Sequence, residues 1–138
     1  MNIDSIQNGV VIDHITAGSA LRLYELLGLG ALDCSVAIIK NVASKKMGRK
    51  DIIKIDASIP VDFDVIGYVD PDATVNIVEN GVITEKRNIT MPQTLTNVIR
   101  CRNPRCITSV EQEIDHIFRL TDRENKVYRC LYCETKSE

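Results

Sequence analysis

Four cysteines in two close pairs constrain the fold of this chain more than any other sequence feature. Four residues separate Cys101 from Cys106, two separate Cys130 from Cys133, and 23 lie between the pairs. Two cysteines three positions apart on a tight turn suit a shared metal ion better than a disulfide bond. Four thiolates around zinc also explain how roughly 45 residues with few large apolar groups could fold. We therefore predict one structural Zn²⁺ held by all four cysteines, with packing or redox cysteines as the alternative.

A site with four protein ligands has no open coordination position, so its metal cannot activate water or polarise a substrate. The predicted zinc is therefore structural. His116 is interpreted as a surface histidine, because the four cysteines already complete the ligand set. Cys34 stands apart at the start of a predicted strand, where a small buried apolar residue is the simplest interpretation.

The first two thirds of the chain alternate strand and helix patterns. Strands are predicted at 9–15, 35–42 and 51–56, a helix begins near Ala20 after Thr16 or Ser19 as cap, and a second runs between Pro60 and Pro71. Asn80-Gly81 predicts a tight hairpin between two further strands. The order β-α-β-β-α-β with an extra hairpin strand predicts an α+β class with a ferredoxin-like first domain.

The uncharged segment Asn88 to Asn97 is the best candidate for a linker. We predict a first domain at residues 1–91 and a zinc-binding domain at 92–138. In the second domain, apolar stretches on both sides of the polar turn TDRENK predict a hairpin that ends at the second cysteine pair. This part is expected to be small, all-β and similar to a zinc ribbon.

Charge argues against a nucleic-acid-binding protein that relies on bulk electrostatics. Residues 1–88 carry 9 Lys and Arg against 12 Asp and Glu, a net of −3, and residues 89–138 carry 8 against 7, a net of +1. No apolar run is long enough to span a bilayer and no secretory signal is visible, so we expect a cytoplasmic protein without membrane contact.

Polar residues in the first domain are the candidates for ligand binding. Lys50 and Lys54 share one face of a strand and lie about 13 Å apart, which is comparable to an extended nucleotide. Asp13 and His14 interrupt an apolar strand, and both can reach one ligand only if the strand ends or twists there. A solvated basic edge and satisfied polar strand ends are the alternatives. No sequence pattern marks a nucleophile, so a non-enzymatic role is favoured.

Four motifs in one order, VIDHI, MGRKDIIKI, PDATVN and the C-x4-C and C-x2-C pairs, resemble the regulatory chain of aspartate carbamoyltransferase. The resemblance covers about Gly9 to Glu134. It implies an allosteric domain that binds the nucleoside triphosphates CTP and ATP, with UTP as a further candidate and Mg²⁺ as a candidate companion ion. It also implies pairing of regulatory chains as a homodimer and docking of the zinc domain on the catalytic chain. Through this docking the regulatory chain would control pyrimidine biosynthesis.

The resemblance also implies roles for individual residues. Asp13 is expected to meet the ribose, His14 the phosphates, Lys54 the base and ribose, and Lys50 a second adjacent nucleotide. Further expected contacts are phosphate binding by Asn76 and Lys86, pocket lining by Val11, Val78 and Ile83, and reading of the base by the backbone around Ile3 to Ile6. Asn103 and Arg105, in the first zinc loop, are expected to dock on the partner chain.

A second class of protein competes with this interpretation. A zinc ribbon that contacts RNA or DNA through its loops would use the arginines of the last forty positions, Arg100, Arg102, Arg105, Arg119, Arg123 and Arg129. Six acidic residues dilute that patch, and only Phe118, Tyr128 and Tyr132 are available for stacking. We therefore expect no nucleic-acid partner.

Overall fold

A computed structural model describes residues 6–137 of the chain. The contacts within it divide the chain into two compact units, the first reaching Thr90 and the second beginning at Met91. Each unit has its own sheet and its own buried side chains.

The first unit is a five-stranded antiparallel sheet with two helices. Its elements are β1 (Gly9–Thr16), α1 (Ala20–Leu26), a 3₁₀ turn (Leu29–Ala31), β2 (Val36–Ser44), β3 (Gly48–Ile55), α2 (Phe63–Val69), β4 (Thr74–Glu79) and β5 (Val82–Asn88). The strand order is β2-β3-β1-β4-β5, and every neighbouring pair is antiparallel. This arrangement confirms the predicted α+β class and the ferredoxin-like order of elements.

Local sequence signals explain most of the element boundaries. Gly28 takes a left-handed conformation (φ 68°) just after the C-cap residue of α1, Leu27, where a side chain would be strained. Ser19 occupies the N-cap position of α1, but its side chain makes no capping hydrogen bond, which corrects the expectation that Thr16 or Ser19 caps the helix. The second helix begins at Phe63, later than Pro60 suggested, because the Asp62 carboxylate accepts the N–H groups of residues 64 and 65.

The core lies on one face of this sheet. Four isoleucines of β1 and β3 are fully buried there, with the irregularity of β1 lying between the first two: Ile12, Ile15, Ile53 and Ile55. They pack with the apolar sides of the helices, where Leu26 of α1 and Val65 of α2 meet Ile55 in one crevice. The opposite side of the sheet, which we call the open face, carries the intervening residues of each strand.

The second unit is a small three-stranded antiparallel sheet. Its elements are β6 (Thr94–Thr96), a single turn of helix α3 (Ile107–Val110), β7 (Ile117–Asp122) and β8 (Val127–Cys130), in the order β6-β7-β8. The β7–β8 pair confirms the hairpin predicted before the second cysteine pair. The linker prediction was wrong for residues 94–96, because Leu95 is 1% exposed and its threonine neighbours pair with β7.

Two further contacts fix the entry to the second unit. The Tyr128 hydroxyl donates to the carbonyl of Pro92 at 2.6 Å, and the N–H of Leu120 donates to the carbonyl of Gln93 at 2.8 Å. Within residues 6–137, no helix is both long enough and apolar enough to cross a membrane.

Candidate metal centre and ligand-binding face

The four cysteines that were predicted to bind metal converge in the second unit. Their Sγ atoms all lie within 4.8 Å of one another. Two of the separations are 3.5 Å, between Cys101 and Cys133, and 3.6 Å, between Cys106 and Cys130. These distances exceed the length of a disulfide bond, about 2.05 Å. They match the separation of two sulfurs around a tetrahedral zinc, about 3.8 Å for a Zn–S bond of about 2.3 Å.

Two tight turns bring the cysteine pairs together. In the first loop, the carboxamide oxygen of Asn103 accepts the N–H of Arg105 at 3.0 Å, and the Asn103 carbonyl accepts the N–H of Cys106 at 3.1 Å. In the second, the N–H of Glu134, which has a positive φ of 65°, donates to the carbonyl of Cys130 at 2.9 Å. Asn103 therefore shapes the loop, while the Arg105 side chain stays exposed.

The thiols differ in their tendency to ionise. Burial raises the pKa of Cys101 to about 12 and also raises the pKa of Cys130. The Thr135 hydroxyl, 3.2 Å from its sulfur, lowers the pKa of Cys133 to about 6. Four thiolates this close repel one another unless a cation sits among them, so the donor set fits a thiophilic divalent metal such as zinc.

Two further side chains, Thr108 and His116, contact the cysteines without belonging to the cluster. The Thr108 hydroxyl lies 3.1 Å from the Cys106 sulfur and is 4% exposed as a residue. His116 is not among the clustered ligands, and its Nδ1 accepts the N–H of Cys101 at 3.2 Å. Neither contact was predicted. No spacing rule links positions 101 and 116 before the strand pairing is known, and a single threonine two residues after a cysteine is no signal of a contact with its sulfur.

The open face of the first sheet carries a row of predicted ligand contacts. Val11 of β1 pairs with Lys54 of β3 on one side and with Asn76 of β4 on the other, and Asn76 pairs with Lys86 of β5. Residues paired across antiparallel strands point to the same side of the sheet. Two amines and an amide therefore surround an apolar residue on four adjacent strands.

A bulge in β1 presents Asp13 and His14. The pairing of β1 with β3 shifts register between Ile12 and Ile15, and His14 has a positive φ of 56°. A bulge turns neighbouring side chains away from strict alternation. The strand is thus distorted at the position where both side chains would have to reach a common ligand.

Three polar contacts hold this bulge. The Asp13 carboxylate lies 2.9 Å from the Lys50 ammonium and accepts the N–H of His14 at 2.6 Å. The His14 ring Nδ1 lies 3.1 Å from the Thr74 hydroxyl, a contact that the sequence did not reveal. Burial alone would raise the pKa of Asp13, but the hydrogen bonds from Lys50 and His14 outweigh it, and the pKa lies below its ordinary value.

An apolar border adjoins the polar row. Val78 pairs with Gly9 and with Ile83, and Ile6 is 8% exposed. Ile83 is 56% exposed, so it lies at the rim of the face. The part of the predicted base-reading segment that precedes Ile6 lies outside the described residues.

Fold and site together define a two-domain metal-binding protein, with a ferredoxin-like domain before a four-cysteine domain. Two family models match it, the allosteric domain of the aspartate carbamoyltransferase regulatory chain over residues 1–90 and the metal binding domain of the same chain over residues 93–138. The chain belongs to the family of aspartate carbamoyltransferase regulatory chains.

Curated relatives of that name are similar along nearly their whole length. The chain is 48% identical to the aspartate carbamoyltransferase regulatory chain of Clostridium botulinum strain Hall over 134 residues, which cover 97% of this chain and 92% of the relative. Identity to that of Clostridium tetani is 48% over 135 residues (97% and 94%), and to that of Bifidobacterium longum 42% over 138 residues (100% and 99%).

Proposed function

We propose that this chain is the non-catalytic, allosteric partner of an aspartate carbamoyltransferase catalytic chain. It binds nucleoside triphosphates, CTP and ATP with UTP as a further candidate, on the open face of its first domain. We name the residues Asp13, His14, Lys54, Asn76 and Lys86 the effector face. Its second domain holds a structural zinc and docks on the catalytic chain.

One observation carries the nucleotide assignment. The side-chain oxygen of Asn76 is buried and has no hydrogen-bond partner among the described residues. A buried polar atom without a partner costs about 1–3 kcal/mol, so such an atom in the middle of a surface row points to a ligand that completes it.

The surrounding groups suit the parts of a nucleotide. Lys54 and Lys86 lie three strands apart, about 14 Å at the usual strand spacing. Ammonium groups and an imidazole bind phosphate oxygens, whereas the Asp13 carboxylate accepts hydrogen bonds from ribose hydroxyls. Val11 and the border residue Val78 offer apolar surface to a base.

Docking of the second domain is supported by what surrounds the cysteines. A groove of about 860 Å³ lies beside Cys101 and is lined by residues 97–101, 108, 109 and 112–116. Arg105 is exposed on the first loop, and Asn103 fixes the loop that carries it. When bound, zinc would crosslink Cys101, Cys106, Cys130 and Cys133 and so keep these surfaces in one conformation.

Pairing of two regulatory chains is supported by strand β2. It lies at an edge of the sheet, and its residues 36–39 are apolar and half-buried in the isolated chain. A second copy adding its own β2 would satisfy the free backbone groups of this edge. The nucleic-acid alternative is not favoured, since both domains match the regulatory-chain family.

Allosteric control then follows from linkage. A nucleotide that binds one quaternary state of the assembly more tightly shifts the equilibrium of the catalytic chains toward that state. The shift equals the difference between its two binding free energies, typically about 1–3 kcal/mol. The test is Lys54→Ala in the full zinc-loaded chain, measured by calorimetric titration with CTP and ATP and by assembly with a catalytic trimer. Lys45→Ala, on the exposed β2–β3 turn, is the control.

We expect Lys54→Ala to lower nucleotide affinity about tenfold or more and to leave assembly intact, because one charge-assisted hydrogen bond is worth about 1.5–3 kcal/mol. Lys45→Ala should change neither. Equal nucleotide affinity in the parent chain and the Lys54 variant would refute the assignment of the open face.

A further inference from the structure

Asp51 is a fully buried carboxylate that binds backbone groups from two other segments of the first domain. It is 0% exposed. One oxygen accepts the N–H of Gly18 at 2.9 Å and of Ala20 at 3.2 Å, and the other accepts the N–H of Asn41 at 2.8 Å. The side chain thus takes over the capping of α1 that Ser19 does not perform.

A second buried carboxylate holds the same loop. Asp70, at the end of α2, is 2% exposed and accepts the N–H groups of Thr16 and Asp72. Together the two carboxylates take alternate N–H groups of the loop from Thr16 to Ala20. Within residues 6–137, neither forms an ion pair with a lysine or arginine, and the hydrogen bonds that they accept come from backbone N–H groups.

This loop directly follows the effector face. It begins two residues after His14, and the bulge that presents Asp13 and His14 ends where the loop starts. The neighbouring residues Lys50 and Asp51 contact β1 and the loop that follows it from opposite faces of the sheet. Lys50 binds the Asp13 carboxylate on the open face, and Asp51 binds the loop on the helical face.

The third contact of Asp51 reaches the edge of the sheet. Asn41 has a positive φ of 59° and lies where the pairing of β2 with β3 shifts register, between Ile39 and Val42. A single carboxylate therefore joins the irregular point of the edge strand to the loop behind the effector face.

We propose that Asp51 is a positioning residue of the effector site, and that it couples this site to the bulge of edge strand β2. The inference rests on the proposed nucleotide function. A nucleotide that binds Asp13 and His14 restricts the loop at Gly18 and Ala20, and the shared carboxylate passes that restriction to Asn41. Binding should therefore slow hydrogen exchange of the Asn41 amide, which does not touch the ligand face.

The test is Asp51→Asn in the full zinc-loaded chain, with CTP and ATP as ligands. Asparagine keeps the shape of the side chain but replaces one acceptor oxygen by an N–H₂ donor, which opposes the backbone N–H groups. Val65→Ala is the matched control, because it opens the core beside Leu26 and Ile55 and destabilises the same domain while removing none of the hydrogen bonds of Asp51. The readouts are nucleotide affinity by calorimetry and amide exchange at Gly18, Ala20 and Asn41 by NMR.

We expect Asp51→Asn to bind nucleotide about tenfold more weakly and to lose the response of Asn41. Val65→Ala should lose a similar amount of thermal stability but keep the nucleotide affinity of the parent chain and the response of the Asn41 amide. Parent-like affinity in the Asp51 variant, or equal weakening in both variants, would overturn the positioning role. An Asn41 amide that does not respond to nucleotide in the parent chain would overturn the coupling.

Two further outcomes separate the possible failures. If Asp51→Asn does not fold, Asp70→Asn replaces it, since Asp70 holds the loop without contacting Asn41. That variant should weaken binding yet retain the Asn41 response, and parent-like binding would overturn the role of the loop. Absence of nucleotide binding by the parent chain would instead refute the proposed function itself.

Discussion

The ammonium nitrogen of Lys50 lies 2.9 Å from a carboxylate oxygen of Asp13, across the paired strands β3 and β1. Both side chains are largely withdrawn from solvent, at 16% and 21% exposure. The pair fixes the bulge from which the effector face extends, and it makes the stability of the first domain depend on pH.

The pKa of Asp13 in the folded chain lies below its ordinary value of 3.8. A depressed carboxyl pKa stabilises the folded state fully above the unfolded pKa, and this stabilisation is lost as the pH falls through the folded pKa. A double-mutant cycle of Asp13→Asn and Lys50→Met should therefore give a coupling energy of up to about 1 kcal/mol at pH 7. The coupling should decline once the pH drops below about 3.8.

Urea unfolding followed by circular dichroism at pH 7 and at successively lower pH measures this coupling. The cycle cancels the effects of acid on other groups, including loss of metal. A coupling energy that stays constant down to the acid limit would contradict the role of this ion pair.

The metal centre predicts a sharp difference between two cysteines. Cys106→Ser removes one of four clustered ligands, whereas Cys34→Ser alters a cysteine outside the cluster. We expect the first variant to lose stoichiometric zinc and the native NMR signals of residues 91–137, since structural zinc contributes on the order of 10 kcal/mol to such domains. The Cys34 variant should retain both, and equal zinc content in the two proteins would exclude the site.

The Thr108 hydroxyl should raise the affinity of the site for metal without itself being a ligand. Thr108→Val removes the hydroxyl beside the Cys106 sulfur at nearly constant volume. Partners that orient a metal ligand typically contribute about 10–100-fold to affinity. We expect a loss in that range in competition with a chromophoric chelator, with Thr96→Val, exposed on β6, as the control. Indistinguishable chelator curves would show that the hydroxyl does not act on the metal.

Gly9 should tolerate no side chain at all. A Cβ atom there would lie 2.1 Å from the carbonyl oxygen of Ile55 and 2.7 Å from a methyl group of Ile6. We expect Gly9→Ala to reduce the free energy of unfolding by about 3 kcal/mol. At Gly30 the nearest atom is the Tyr24 hydroxyl at 3.3 Å, so Gly30→Ala should change it by less than about 0.5 kcal/mol. Urea denaturation of both variants measures the contrast, and equal stability would contradict it.

Sequence reasoning predicted those features that a local signal encodes. Alternating apolar residues set the strands, Asn80-Gly81 set the hairpin, and cysteine spacing predicted a cluster that the structure assembles. In each case the necessary information lies within a few residues, so it is readable before folding. The residue-by-residue nucleotide contacts remain predictions, because they were drawn from resemblance to the family.

The features that the sequence did not reveal depend on distant partners. Thr74 beside His14 and His116 behind Cys101 become neighbours only through strand pairing or loop closure. Asp51 begins the strand predicted at 51–56, and its capping role appears only when three segments of the chain meet. Leu95 falls within the predicted linker, because a three-residue strand is too short to show alternation.

The two edges of the first sheet are not equivalent. Strand β5 is exposed along its whole length and carries Glu85, Lys86 and Arg87 in succession, whereas β2 begins with four apolar residues. Charged edges discourage pairing with another chain. If two chains associate through β2, no third chain adds to the sheet, because the two edges left exposed by the pair are both the charged strand β5. The asymmetry of one small sheet is then enough to give a closed assembly of fixed size instead of an endless ribbon.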